Sequence, residues 1–332
     1  MNVKKAILAS MIVSGMLVAV AGPIPAGAEA AQEQKQTDNK KVQIDNKLAA
    51  KLQKAIKQYA GKEIKLKNVG EKIESSPDGA KVESVDGKYA ILFNVGSGGI
   101  WGIEEIVTID KISKEDQEKV LKVLKGAYAN KTYNFNKEVI MHRGYDGDKE
   151  KLGVTLSYKL TGKDFEVYFF KENTPKMPKD EVSAFEIRFT KEELDPKLLE
   201  TATKAVKTAF NHDLEVTAAN LNRFTWTLKD KDVSLQMENG KVTNILHKTR
   251  KAVTTNKEIT ENVAKEVVAP LAKELFNMDI AGLEVKWDST YKNYYFLKGK
   301  QIELRVALDA DKNVVFITSG VSALYGTPIG RL

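Results

Sequence analysis

The stretch FTWTLKDKDVSLQMENGKVTNILH, residues 224–247, decides how this chain folds. Apolar residues alternate with polar ones in three short runs, Phe224-Trp226-Leu228, Val233-Leu235-Met237 and residues 242–246. Successive side chains of a strand point to opposite faces, so each run reads as a strand with one buried face. The connections KDKD and ENGK are short and polar, and Asn239-Gly240 tolerates the two positive backbone angles of a type I′ turn. The stretch is an antiparallel meander. Ahead of it, Leu199, Ala202, Val206 and Phe210 recur at helical spacing. That helix opens either at a capping box of Thr190 and Glu193 or at Asp195 with Pro196 in the first helical position.

The same order of helix then strands recurs on both sides. Leu48, Leu52, Ile56 and Tyr59 mark a helix, followed by alternation at Tyr89, Ile91, Phe93 and Val95 and a β-rich run at 103–109. Ser113 with Asp116 opens a second helix bearing Val120, Leu121, Leu124 and Tyr128. Strands centred on Leu156, Val167 and Ile187 follow, with the loop ENTPKMPKDE before the last. A final helix is expected to open near Thr255 with Glu258, carry Val263, Val267, Leu271 and Leu275, and bend at Pro270, where a backbone donor is missing. Three strands close the chain, at 291–296, 302–308 and 314–318. The helix ends AIKQYAGKEIKL, VLKGAYANKTYNF, AVKTAFNHDLEV and LAKELFNMDIAGLEV superpose on the aromatics Tyr59, Tyr128, Phe210 and Phe276. A recurring period of this kind is the mark of internal duplication.

These readings predict an α+β fold of about four repeated units, each one helix packed on an antiparallel β-meander, since a helix stripe and a sheet face bury each other in two layers. The expected divisions are a signal peptide over 1–30, a flexible N-terminus over 31–44, units at 45–112, 113–190, 191–254 and 255–320, and a tail at 321–332. The pattern resembles the PepSY-type, cystatin-like units of secreted bacterial proteins, including propeptides of thermolysin-like metalloproteases. IELRVALDADKNVVFI, near the C-terminus, is similar to that family's closing hairpin, and VSLQMENGKVTNI resembles it more loosely. The resemblance implies a binding module and points to an exported protease as its partner.

Export is expected from the first residues. Lys4 and Lys5 precede an apolar run at 6–21, then Gly22, Pro23 and Pro25, with cleavage after Ala28 or Ala30. The run is too short to span a bilayer, so no transmembrane span is expected after cleavage. The chain has no cysteine, which excludes disulfides, cysteine-held metals and a lipidated cysteine anchor. A secreted location, free or held at the wall of a Gram-positive exporter, is the expectation.

The net charge is +7, mostly from lysine, with the arginines scattered singly. Forked arginine contacts interleaved with aromatics are absent, so nucleic acid is not an expected partner, whereas an anionic cell-wall polymer is. Catalysis is not expected. His142, His212 and His247 fall in different units, no HExxH helix or G-x-S-x-G elbow occurs, and DGDKE fails as a calcium loop because Lys151 stands where glycine is needed and Ser157 where glutamate is needed. No cofactor or metal is expected. Adjacent Glu104 and Glu105 point to opposite sheet faces and do not form an acid and base pair. The glycine-rich GSGGIWG, 96–102, lacks the helix of a P-loop. Its residues Gly98, Gly99, Ile100 and Trp101 are the candidate binding residues, as an apolar hairpin tip offered to a protein partner. The predicted function is thus a secreted, non-catalytic binding protein of PepSY-like repeats that engages or inhibits an exported protease; the alternative is a basic cell-wall-associated structural or adhesion protein.

Overall fold

The computed structural model describes residues 40–320 apart from 75, 148 and 172–180. The signal-peptide segment, most of the expected flexible N-terminus, nearly all of the ENTPKMPKDE loop and the C-terminal tail lie outside the described residues. After β1 (Lys41–Gln43), helix α1 (Asn46–Ala60) leads into β2 (Val69–Lys72), β3 (Gly79–Glu83), β4 (Tyr89–Asn94) and β5 (Ile100–Thr108). Helix α2 (Lys114–Ala127) leads into β6 (Glu138–Asp146), β7 (Lys151–Gly162), β8 (Phe165–Lys171) and β9 (Glu181–Phe189). Helix α3 (Pro196–Phe210) precedes β10 (Ala218–Asn222), β11 (Thr225–Lys229), β12 (Val233–Glu238) and β13 (Lys241–His247). Helix α4 (Glu261–Phe276) precedes β14 (Glu284–Asp288), β15 (Asn293–Lys298), β16 (Gln301–Leu308) and β17 (Val314–Ser319).

The helix boundaries follow local chemistry. Asp45 accepts a hydrogen bond from the Leu48 N–H at 2.8 Å, and Ser113 Oγ accepts one from Asp116 at 3.1 Å. Both satisfy donors left open at a helix N-terminus. Thr190 and Glu193 do form a capping box, but it closes a single 3-10 turn, and α3 starts at Pro196 with Asp195 as its cap. Helix α4 is capped by Thr260 rather than Thr255, and it continues through Pro270. Helices α3 and α4 both end on a left-handed asparagine, Asn211 at 51° and Asn277 at 52°, angles that asparagine tolerates better than most residues.

Repeated units of helix on meander are not what the chain builds. The strands of the described residues form one 17-stranded antiparallel open sheet. Strands β1 to β13 pair in succession, including β5 with β6 over seven residue pairs and β9 with β10 over four. Strand β13 then pairs with β17, and β16, β15 and β14 follow outward in that order. The physical reason lies at the edges. A closed four-stranded unit exposes unpaired N–H and C=O rows on both sides, and pairing across each boundary satisfies them.

The core merges as the ladder does. Directly opposed residues Phe165, Ile187, Leu221, Trp226, Met237 and Val242 run from β8 to β13, and Ile245, Ile317, Val306 and Tyr294 continue to β15. These rows belong to one apolar cluster with α2, α3 and α4, while α1 covers a separate cluster around Ile91, Phe93 and Ile103. All four helices lie on one side, because Glu105, which accepts a 2.8 Å hydrogen bond from Tyr59 of α1, shares the row of Met141, Tyr158 and Phe169. Among the described residues the other side of the sheet carries no helix. Among the described residues no helix is long and apolar enough to cross a membrane.

Candidate functional site

The predicted binding residues lie at the hairpin between β4 and β5, and of them Trp101 stands beside His142 on the helix-free face. Gly98, at a φ of 62°, donates to the Asn94 carbonyl at 2.8 Å and closes the hairpin between β4 and β5. Gly99 donates to Ser97 Oγ at 3.2 Å in the same turn. Ile100 does not project as expected: it is 3% exposed and packs in the α1 core, because it pairs with the buried Phe93. The ladder shifts between Leu92 and Phe93, so Trp101 is the extra residue of a bulge and stands 44% exposed. Its ring lies 5.9 Å from that of His142.

His142 sits over Gly102, where a Cβ would come within 2.3 Å of the imidazole. Across the ladder it faces Glu104, with Nδ1 and Oε1 4.0 Å apart. Burial pushes the His142 pKa down and the Glu104 pKa up, favouring the neutral form of each. The row continues through Ser157 to Phe170, and its neighbour runs from Ile106 through Ile140 and Lys159 to Tyr168. Phe170 and Tyr168 are 40% and 38% exposed. Strands β5 and β8 thus present Trp101, Ile106, Tyr168 and Phe170 to solvent with charged neighbours, a mixed apolar and polar surface of the kind found at interfaces.

A second group gathers where α3 ends. His212 and His247, far apart in sequence, approach to 6.3 Å between ring centroids. His212 Nε2 and Asp230 Oδ2 are 2.7 Å apart, and Asp230 Oδ1 accepts from the Asp232 and Val233 amides at 2.7 and 2.6 Å. Burial alone raises a carboxyl pKa, but these hydrogen bonds outweigh it and hold Asp230 below its ordinary value. Burial, with help from Arg250, lowers the His247 pKa. Arg250 lies 5.3 Å from the Phe210 ring and donates to the Val314 carbonyl at 2.9 Å. Its donors tie α3 to β17, and Thr249 Oγ1 lies 3.3 Å from His247 Nδ1. Among the described residues no group of three or more His, Cys, Asp or Glu side chains is placed to hold a metal ion.

The third feature is a cleft of about 1600 Å³ along the seam where β13 meets β17. On the helix-free face a polar row crosses this seam in register: Gln236, Asn244, Thr318, Arg305 and Tyr295. Arg305 is 1% exposed, stacks over Phe316 at 5.0 Å and lines the cleft. Its Nε and Nη1 have no hydrogen-bond partner, and neither has Oδ1 of Asn244. Burial raises the Tyr295 pKa, and the neighbouring Arg305 works against that shift. Sequence reading passes over Arg305, whose only signal is a lone arginine in an otherwise apolar strand.

No family model, no curated protein and no solved structure matches this chain.

Proposed function

We propose that the protein is an exported, non-catalytic binding protein that holds a partner protein against the helix-free face of its sheet. The observation behind this reading is the exposed group Trp101, Ile106, Tyr168 and Phe170 on β5 and β8, beside His142 and Lys159. Large aromatics left in water on a rigid sheet gain little there and release much free energy when a partner covers them. Strands anchored on both sides hold such groups in place, which limits the entropy lost on binding. An exported protease is the partner class to test first.

The test is a comparison of the mature protein with a Trp101→Ala, Phe170→Ala double variant. Each is immobilised and exposed to culture medium and wall extract, then eluted with salt and afterwards denaturant. A discrete protein that resists salt, is retained by the wild type and is lost by the variant supports the reading. Retention unchanged by the double variant refutes the aromatic face as the contact. Complete release of bound material at moderate salt transfers the function to the basic wall-associated alternative, because screening weakens contacts made by solvated lysines.

A further inference from the structure

We infer that the cleft at the β13–β17 seam is a binding site for a phosphate ester of a small hydroxylated molecule, such as a polyol or sugar phosphate. The inference is independent of the aromatic face, which lies on other strands. A guanidinium removed from water without a partner is among the costliest arrangements in a folded protein, and native structures keep one chiefly where a ligand completes it. Arg305 is close to that state: its one side-chain hydrogen-bond partner is Tyr295, and Nε and Nη1 are unpaired, with no ion pair among the described residues. The same cleft holds the unpaired Asn244 Oδ1, which can only accept. One site therefore requires an anion and a donor together.

The wall decides which anion. From the strands and the segment after β13, the cations Lys241, Lys248, Arg250 and Arg305 line the cleft against the single carboxylate Glu238. Of these, Lys241 makes no ion pair among the described residues, whereas Lys248 donates to the Asp230 carbonyl and Arg250 to the Val314 carbonyl. An excess of this size suits a dianion better than a single carboxylate. Asn244 Oδ1 only accepts and a phosphate dianion offers it no proton, so a carbon skeleton bearing a hydroxyl must bridge from the anion at Arg305 across β17, roughly 10 Å between backbones. Phe316 and Leu246 supply an apolar floor for that skeleton.

Titration calorimetry on the mature chain tests this with glycerol 3-phosphate, inorganic phosphate, glycerol and succinate as probes. The expected result is saturable binding of glycerol 3-phosphate, binding of inorganic phosphate roughly tenfold weaker for want of the hydroxyl, and none of glycerol. Arg305→Leu is expected to abolish binding while raising the thermal midpoint of the ligand-free protein, since it removes an unpaired buried charge. Asn244→Leu, with Arg305 intact, should bring glycerol 3-phosphate down to the level of inorganic phosphate and leave the latter unchanged. The inference is overturned if the wild type binds no phosphate probe, if folded Arg305→Leu binds as well as wild type, or if succinate binds as tightly as glycerol 3-phosphate.

Discussion

Replacing Ile317 by alanine probes whether the last helix and its strands share a core with the rest of the sheet. Ile317 is fully buried on β17, opposite Ile245 of β13 on one side and Val306 of β16 on the other. Its cluster joins α2, α3 and α4. Deleting an isoleucine side chain down to Cβ at such a site costs about 3 kcal/mol, within the 2–5 kcal/mol typical of buried sites. With a urea dependence of about 3 kcal/mol per molar, the unfolding midpoint falls by about 1 M. The chain has three tryptophans, of which Trp226 on β11 and Trp287 on β14 flank the seam and pack against this cluster. In backgrounds where the other two are replaced by phenylalanine, each reports its own side by fluorescence. Both midpoints are expected to fall together after Ile317→Ala. A drop for Trp287 with Trp226 unmoved would refute the merged core, because independently folding units would pass no destabilisation across the seam.

Two further outcomes follow from local chemistry. Asp230 has a folded pKa below its ordinary 3.8, so its contribution to stability is present above that value and lost as pH falls through the folded pKa. Asp230→Asn, which keeps an oxygen for the Asp232 and Val233 amides, should therefore lower stability at neutral pH and flatten the acid limb in circular dichroism melts between about pH 5 and pH 2. At the β12–β13 turn, Asn239 and Gly240 have φ of 50° and 72°. Gly240→Ala imposes a left-handed angle on a residue with a Cβ and should cost roughly 1–2 kcal/mol in denaturant melts, although the space around that position is open.

What the sequence reveals is governed by how local the cause is. The Asn239-Gly240 turn, the Ser113 and Asp195 caps and the strands around Trp226 and Val167 each depend on a few neighbouring residues, and periodicity or turn chemistry discloses them. Strand β6 escapes notice because EVIMHRGYD places His142, Arg143 and Gly144 in mid-strand, where no clean alternation survives. Phe224 reads as the first residue of a strand, yet β11 starts at Thr225 and leaves it exposed. The pairing of β13 with β17 depends on which edges meet, and nothing in either strand names its partner. For the same reason His212 and His247, or Asn244 and Arg305, cannot be associated from sequence: their proximity is produced by long-range pairing. Ile100 and Trp101 are adjacent and both apolar, and only the bulge sends one inward and the other into solvent.

The seam carries the account, since the single sheet and the Arg305 cleft both require β13 to pair with β17 in one register. The chain contains no cysteine, so two introduced thiols can pair only with each other within a molecule. Asn244 and Thr318 are direct cross-strand partners, whereas Ile317 next to Thr318 faces the helices. Side chains directly opposed across a ladder have Cβ atoms within about 5.5 Å, a separation a disulfide can close with small adjustment. Mild oxidation of the Asn244→Cys, Thr318→Cys double variant, followed by mass spectrometry of the digested monomer, is expected to give an intramolecular disulfide in high yield, and the Asn244→Cys, Ile317→Cys pair little or none. Equal yields from the two pairs, or none from the first, would contradict the seam.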